Sequence, residues 1–231
     1  MNGFKIAFLG ICFGLSMNLA VSASCFAENF PTQPVARVEP WWIERHELLK
    51  RTARMGNVET LFVGDSITQG WNPRVWGEAF SHLRPANFGI SGDKTENVLW
   101  RIQDGEFQGL DPSTLVLLIG TNNAQYHEPE AIRDGIAAVI RAFQNQMPRA
   151  RILLISIFPR GWDRTDPLRM KVNEVNRLLP ALTDGSRVIW VPIGRFFLDA
   201  DERISPEIMP DSLHLSERGY RIFASALRPY L

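Results

Sequence analysis

Ser66 is the residue in this chain best placed to do chemistry. It closes the run Leu61-Phe62-Val63-Gly64-Asp65-Ser66, where an apolar stretch ends abruptly in a carboxylate and a hydroxyl. Such a stretch reads as the end of a buried strand, and open α/β sheets place their ligands just past strand carboxyl ends. A hydroxyl there is a candidate nucleophile. It would need a base to take its proton, an acid to orient that base, and donors aimed at a developing oxyanion. Asp-Ser can also simply open a turn or cap a helix. The functional reading therefore depends on what the other loops supply. Three further segments also follow apolar runs or lie near the chain end: Asn87 to Asp93 (NFGISGD), Gly120-Thr121-Asn122-Asn123, and Pro210-Asp211-Ser212-Leu213-His214.

The elements needed to position these loops are legible in the hydropathy pattern. Strands are expected over 59–64, 86–88, 114–119, 151–157 and 187–191. Leu115 to Ile119 and Ile152 to Leu154 are apolar without alternation, which suggests strands covered on both faces, as in a parallel sheet. Helices are expected over 41–54, 94–104, 129–146, 167–182 and 216–228. The longest of these has Pro129 at its start and a stripe of Ile132, Ile136, Val139, Ile140 and Phe143. Alternating strands and helices imply an α/β fold, a three-layer α/β/α sandwich around a mostly parallel sheet of about five strands. Residues 28–58 read as an extended arm with Pro31, Pro34 and Pro40 followed by a helix, and 59–231 as one catalytic-sized domain.

Taken together, the phrases NFGISGD, VLWRI (98–102), GTNN (120–123), PRG (159–161) and DSLHLS (211–216) resemble the SGNH, or GDSL, hydrolase family. The resemblance is greatest to the catalytic subunits of intracellular platelet-activating-factor acetylhydrolase and their bacterial relatives, and spans about residues 60 to 220. It implies a flavodoxin-like sandwich with Ser66 as nucleophile. His214 would be the base and then the acid that protonates the leaving group, and Asp211 the residue that orients it. The three-residue spacing lets Asp211 and His214 meet across one turn. The oxyanion donors implied are the backbone N–H groups of Ser66 and Gly92 and the side-chain amide of Asn122. A glycine lets the backbone approach a substrate, and an amide donates without titrating. Asp65 and Asn123 are expected to support their loops. Arg160, Trp162 and His127 are candidates for the substrate-binding wall. Ser91 stands where the acetylhydrolase subunits carry glycine, a departure that bears on pocket shape. The Gly-x-Ser-x-Gly elbow of α/β-hydrolases is absent around Ser66.

Composition narrows the function further. The chain of 231 residues carries 25 basic and 25 acidic residues with no long block of one sign, which argues against nucleic acid as the main partner. Residues 1–27 have Lys5 as their only charge, an apolar middle and small residues at Ser22, Ala23, Ser24 and Ala27. This is the layout of a secretory signal peptide, with cleavage near Ala27 and no stable membrane span afterwards. Both cysteines, Cys12 and Cys25, fall within it. No Cys-rich or His-x-x-Glu-His pattern occurs, so no metal and no cofactor is expected. The leading expectation is an exported periplasmic or extracellular serine esterase. It would hydrolyse short acyl, chiefly acetyl, esters, with acetylated polysaccharide the first substrate choice. The alternatives are a lysophospholipase or thioesterase acting on a small lipid acyl ester, an O-acyltransferase, and a catalytically silent carbohydrate-binding module using Trp41, Trp42, Trp71 or Trp76. The resembling subunits pair as dimers, which leaves a homodimer open.

Overall fold

The computed structural model describes Met1 and residues 30–231. The leader read over 1–27, with Cys12 and Cys25, lies outside the described residues except for Met1. Five strands follow the expected order: β1 (Thr60–Gly64), β2 (Pro85–Gly89), β3 (Thr114–Leu118), β4 (Arg151–Ile155) and β5 (Val188–Val191). They form one parallel sheet in the order β2-β1-β3-β4-β5. All five residues of β1 and of β3 are buried, as the unalternating apolar runs require. β4 stops earlier than expected. The Asn176 side chain takes over beyond it, accepting from the Ile157 N–H at 2.9 Å and donating to the Ile157 carbonyl at 2.8 Å.

The sheet separates two cores. One face packs α1 (Pro40–Met55), α4 (Thr95–Gln103), α5 (Pro129–Gln146) and α6 (Pro167–Leu178) against Leu61, Val63, Leu115, Leu117 and Leu154. The other packs α3 (Pro73–Phe80) and α7 (Glu217–Leu227) against Phe62, Val116, Leu153 and Val191. Successive residues of one strand serve opposite cores, as the period of two demands. Two helices lie outside the expected set: the four-residue α2 (Ser66–Gln69) and α3. The signal for α3 was present in Asn72-Pro73. Asn72 Oδ1 accepts from the N–H groups of Arg74 and Val75 at 3.0 and 3.1 Å, and Pro73 opens the helix. The α6 segment ends at Leu178 and tightens into a 3₁₀ turn over Leu179–Leu182.

The arm and α1 pack beside β2 and α4. Val35 exchanges bonds with α4, its N–H reaching the Glu96 carbonyl at 3.0 Å and its carbonyl accepting from Asn97 Nδ2 at 3.0 Å. Trp42 is fully buried, stacks on His46 at 5.3 Å and donates to Asp93 Oδ1 at 2.6 Å. Trp71 is also buried, against Phe223 and Tyr220. These two indoles are therefore core, which removes them as sugar-stacking surfaces.

The pairing of β1 with β3 and the return of α2 over the strand end leave no room at Gly64. A methyl built there would intrude on the Leu118 carbonyl oxygen and the Thr68 hydroxyl. Gly64→Ala should cost about 1–3 kcal/mol through this overpacking. A urea midpoint equal to that of the parent would contradict the close approach.

Candidate active site

The register of the sheet brings three loops to one point. Gly64 of β1 pairs with Gly89 of β2 on one side and with Leu118 of β3 on the other. Ser66, Gly92 and Asn122 thus lie two, three and four residues beyond aligned strand ends. The strand order reverses at β1 and β3, the switch point where sheets of this topology open a crevice. The loop between β2 and α4 is tied to α2: Ile90 N–H donates to the Gly64 carbonyl at 3.0 Å and Ser91 N–H to Gln69 Oε1 at 2.7 Å.

Ser66 begins α2, and Asp65 caps it by accepting from the Ile67 N–H at 3.0 Å. Tyr220, on α7, donates its hydroxyl to the Ile67 carbonyl at 2.8 Å and braces the same turn. The segment carrying Asp211 and His214 comes to the same place from the chain end. Ser66 Oγ lies 2.9 Å from His214 Nε2, and His214 Nδ1 lies 2.6 Å from Asp211 Oδ2. The other Asp211 oxygen accepts from the N–H groups of Leu213 and His214 at 3.0 and 2.7 Å. Burial alone would raise the Asp211 carboxyl, but the bonds from the His214 ring and these two amides hold it below its ordinary value. A charged Asp211 fixes the Nδ1–H tautomer, leaving Nε2 free to accept from Ser66. The imidazole is about half exposed, at 47%, so the reactive end of the chain of bonds faces solvent.

The neighbouring loops carry backbone and amide donors. The Ser66 and Gly92 N–H groups have no protein acceptor among the described residues. Gly92 takes a φ of +77°, in the left-handed region. The Asn122 amide spends one N–H on the Asp93 carbonyl at 2.9 Å and has a second to give. Asn123 links two of the loops. It accepts from the Thr95 N–H at 3.1 Å and donates to Glu96 Oε2 at 2.8 Å, joining the third loop to α4.

The expected substrate wall is only partly assembled. Arg160 is 8% exposed and its guanidinium donates to the Thr121 carbonyl at 2.9 Å. It braces the Asn122 loop instead of lining a wall. Trp162 is exposed, and among the described residues no hydrogen bond or ring contact joins it to the triad. His127 lines a separate groove of about 440 Å³ with Phe30, Pro31, Lys94, Tyr126, Glu128 and Ala131. Sequence reasoning missed the buried polar residues under the second loop. Arg101 of α4 is fully buried. It bonds Asp93 at 2.7 Å, the Phe88 carbonyl at 2.6 Å and Glu106 at 2.5 Å. His46 sits between Glu106 at 2.5 Å and Asp104 at 2.8 Å. Burial pulls its pKa down, but the two carboxylates win and raise it. His46, Glu47 and Asp104 have the donor types of a metal site. The Lys50 ammonium already stands among them, 2.6 Å from Asp104 and 3.4 Å from Glu47.

Asp65 lies fully buried beneath the nucleophile. Burial, reinforced by the charge of Asp93, pushes its pKa up to about 7. A carboxyl whose pKa is raised on folding stabilises the native state fully below its unfolded value, and that contribution is lost as pH rises through the folded value. Asp65→Asn keeps the acceptor for Ile67 but cannot titrate. Its urea stability relative to the parent should therefore climb between about pH 4 and 7 and level off above. A difference that stays flat across that window would contradict a buried, neutralised Asp65.

Comparison with known proteins identifies the family. The GDSL-like Lipase/Acylhydrolase family model matches residues 62–222. The human platelet-activating factor acetylhydrolase IB subunit alpha1 is 35% identical over 192 residues, which is 82% of this chain and 82% of that one. The rat alpha2 subunit is 36% identical over 181 residues, 78% of each. Among solved structures, Axe2, an acetylxylan esterase from Geobacillus stearothermophilus, superposes with a TM-score of 0.59. It is 19% identical, and the match covers 76% of this chain and 95% of that one; at that identity it bears on the fold alone. The chain belongs to the GDSL-like lipase/acylhydrolase family and is a carboxylic ester hydrolase.

Proposed function

We propose that this protein is an exported serine esterase that removes short acyl groups, acetyl above all, through an acyl-enzyme. The observation that carries the proposal is the continuous line of bonds Ser66 Oγ, His214 Nε2, His214 Nδ1, Asp211 Oδ2, with its two links of 2.9 and 2.6 Å. In the first half-reaction Ser66 Oγ attacks the ester carbonyl carbon while His214 Nε2 takes the hydroxyl proton. The carbonyl oxygen becomes an oxyanion, met by the N–H groups of Ser66 and Gly92 and the free N–H of Asn122. Collapse breaks the bond to the alcohol, which leaves with the proton from His214. Water then attacks the acyl-Ser66 carbonyl, His214 takes a proton from it, and the carboxylic acid departs as Ser66 recovers its own.

An acetyl ester fits the name of the platelet-activating-factor acetylhydrolase subunits, at 35–36% identity. The exposure of His214 and Asp211, 47% and 56%, suits an alcohol portion too large to be enclosed. Together with the leader-like residues 1–27, this favours an acetylated carbohydrate outside the cytoplasm. A small lipid acyl ester is the second reading, favoured by the higher identity to the platelet-activating-factor enzymes.

A panel of acetylated oligosaccharides, phospholipid acetyl esters and acyl thioesters separates these substrates. Within it, Ser66→Ala and His214→Ala should each lower turnover by about 10³-fold or more while the folded signal persists. Asn122→Ala should lower kcat by about 10²–10³-fold with little change in KM, because an oxyanion donor acts chiefly in the transition state. Near-parent turnover in folded Ser66→Ala would remove the proposed nucleophile. A loss confined to KM in Asn122→Ala would make that residue a ground-state contact.

A further inference from the structure

The N-terminal arm reaches the Gly92 loop at one informative atom. Arg37 Nη1 donates to the Ser91 carbonyl oxygen at 2.8 Å. That carbonyl belongs to the same peptide unit as the Gly92 N–H. A trans peptide is planar, so its C=O and N–H point in opposite directions. Whatever holds the Ser91 oxygen therefore also aims the Gly92 N–H.

The orientation of this peptide is a real choice. Ile90 to Asp93 form a turn closed by Asp93 N–H donating to the Ile90 carbonyl at 3.2 Å, with Gly92 at its third position and a φ of +77°. A positive φ there is the mark of a type II turn. The type I alternative, open to glycine as well, turns the central peptide over. Such a flip would swing the N–H away from the oxyanion and put a carbonyl in its place. Within the turn itself, glycine permits both states.

The arm is built to settle that choice. Arg37 is held by Glu39, with Nη2 to Oε1 at 2.6 Å, and its guanidinium lies over the Trp41 ring at 5.0 Å. Asp93 Oδ1, the acceptor of Trp42, is 3.7 Å from Arg37 Nη1. Arg45 Nε donates to the Gly89 carbonyl at 2.7 Å, fixing the start of the same loop. A Cβ on residue 92 would stand 2.8 Å from Arg37 Nη1. Gly92 is thus required by its φ and by the approach of this side chain. Arg37 is largely buried, and besides Glu39 it faces the buried Asp93 carboxylate, so its guanidinium is held in place from two sides.

We propose that Arg37 is a positioning residue for the reaction: its guanidinium grips the Ser91 carbonyl and thereby holds the Gly92 N–H toward the oxyanion. A positive charge on the carbonyl end also polarises the peptide and strengthens its N–H as a donor. The inference rests on the esterase mechanism proposed above, with Gly92 as an oxyanion donor. It gives the arm, which lies far from the triad in the chain, a part in transition-state stabilisation.

The test compares Arg37→Ala, Arg37→Lys and Ser66→Ala in the full chain. Each is assayed on one acetyl ester and against a boronic acid that forms a tetrahedral adduct on an active-site serine. Arg37→Ala should lower kcat by about 10–100-fold, less than outright loss of an oxyanion donor, and leave KM within about twofold. Its boronic acid Ki should rise by a factor similar to the fall in kcat/KM. Arg37→Lys, which retains one cationic donor, should recover most of the lost kcat. If Arg37→Ala does not fold, Arg37→Gln is compared with Arg37→Lys: a fall in kcat at near-constant KM in Arg37→Gln that Arg37→Lys largely escapes supports the proposal, and parental kcat in both overturns it. A folded Arg37→Ala with parental kcat and Ki, alongside an inactive Ser66→Ala, overturns the positioning role and leaves the esterase reading standing. Activity in Ser66→Ala overturns that reading itself.

Discussion

The Arg101 guanidinium, buried without access to water, is the interaction on which the arrangement of the site depends. It meets Asp93, Glu106 and the Phe88 carbonyl at once. Taking a charge out of water is costly unless it is paired and fully hydrogen-bonded, and removing one partner of such a set leaves the rest uncompensated. Here the partners radiate outward. Asp93 holds Trp42 and its carbonyl holds Asn122, while Glu106 holds His46. One cation under the loop between β2 and α4 thereby joins α1, the Gly92 turn and the Asn122 loop. Asp93 itself is pushed up to about 6 by burial, against the pull of Arg101 and Trp42.

This gives the two halves of the site different environments. The loops that carry the proposed oxyanion donors rest on a dry ionic cluster, an arrangement that would fix those donors before a substrate arrives. Asp211 and His214 lie at the surface on a segment tied mainly to its own backbone and to Ser66. A base that exchanges protons with alcohol and water benefits from that exposure, whereas donors gain from rigidity. The neutralising tendency of Asp65, buried beneath Ser66, fits the same division. The carboxylate in the core is driven toward its uncharged form, while the one at the rim is held ionised.

What could be read from sequence follows from the range of the interactions involved. That Ser66, Asp211 and His214 belong together could be suspected because each sits in a short segment whose chemistry is local, and the structure brings their side chains within hydrogen-bond distance. The strands were legible because burial on both faces leaves an unbroken apolar run. Arg37, Trp42 and Arg101 were not. Their roles arise from contacts such as that of Trp42 with Asp93, between residues far apart in the chain. Arg101 lay inside the phrase VLWRI, where a lone cation among apolar helix residues was the available signal. Arg160 misled for the converse reason. An arginine after a strand looks like a binding group, and only the packed structure reveals that its Nη1 is spent on Thr121. The short α2 escaped because Asp65 and Ser66 read equally well as a turn.

The central claim is that Ser66 carries the acyl group between the two half-reactions. Intact-protein and peptide mass spectrometry after reaction with a fluorophosphonate, which mimics the tetrahedral intermediate and reacts only with an activated hydroxyl, tests it most directly. The account predicts a single adduct on the peptide containing Ser66, formed rapidly in the parent and far more slowly when His214 is replaced by alanine. An adduct on another residue, or labelling of Ser66 at the same rate without the imidazole, would contradict it.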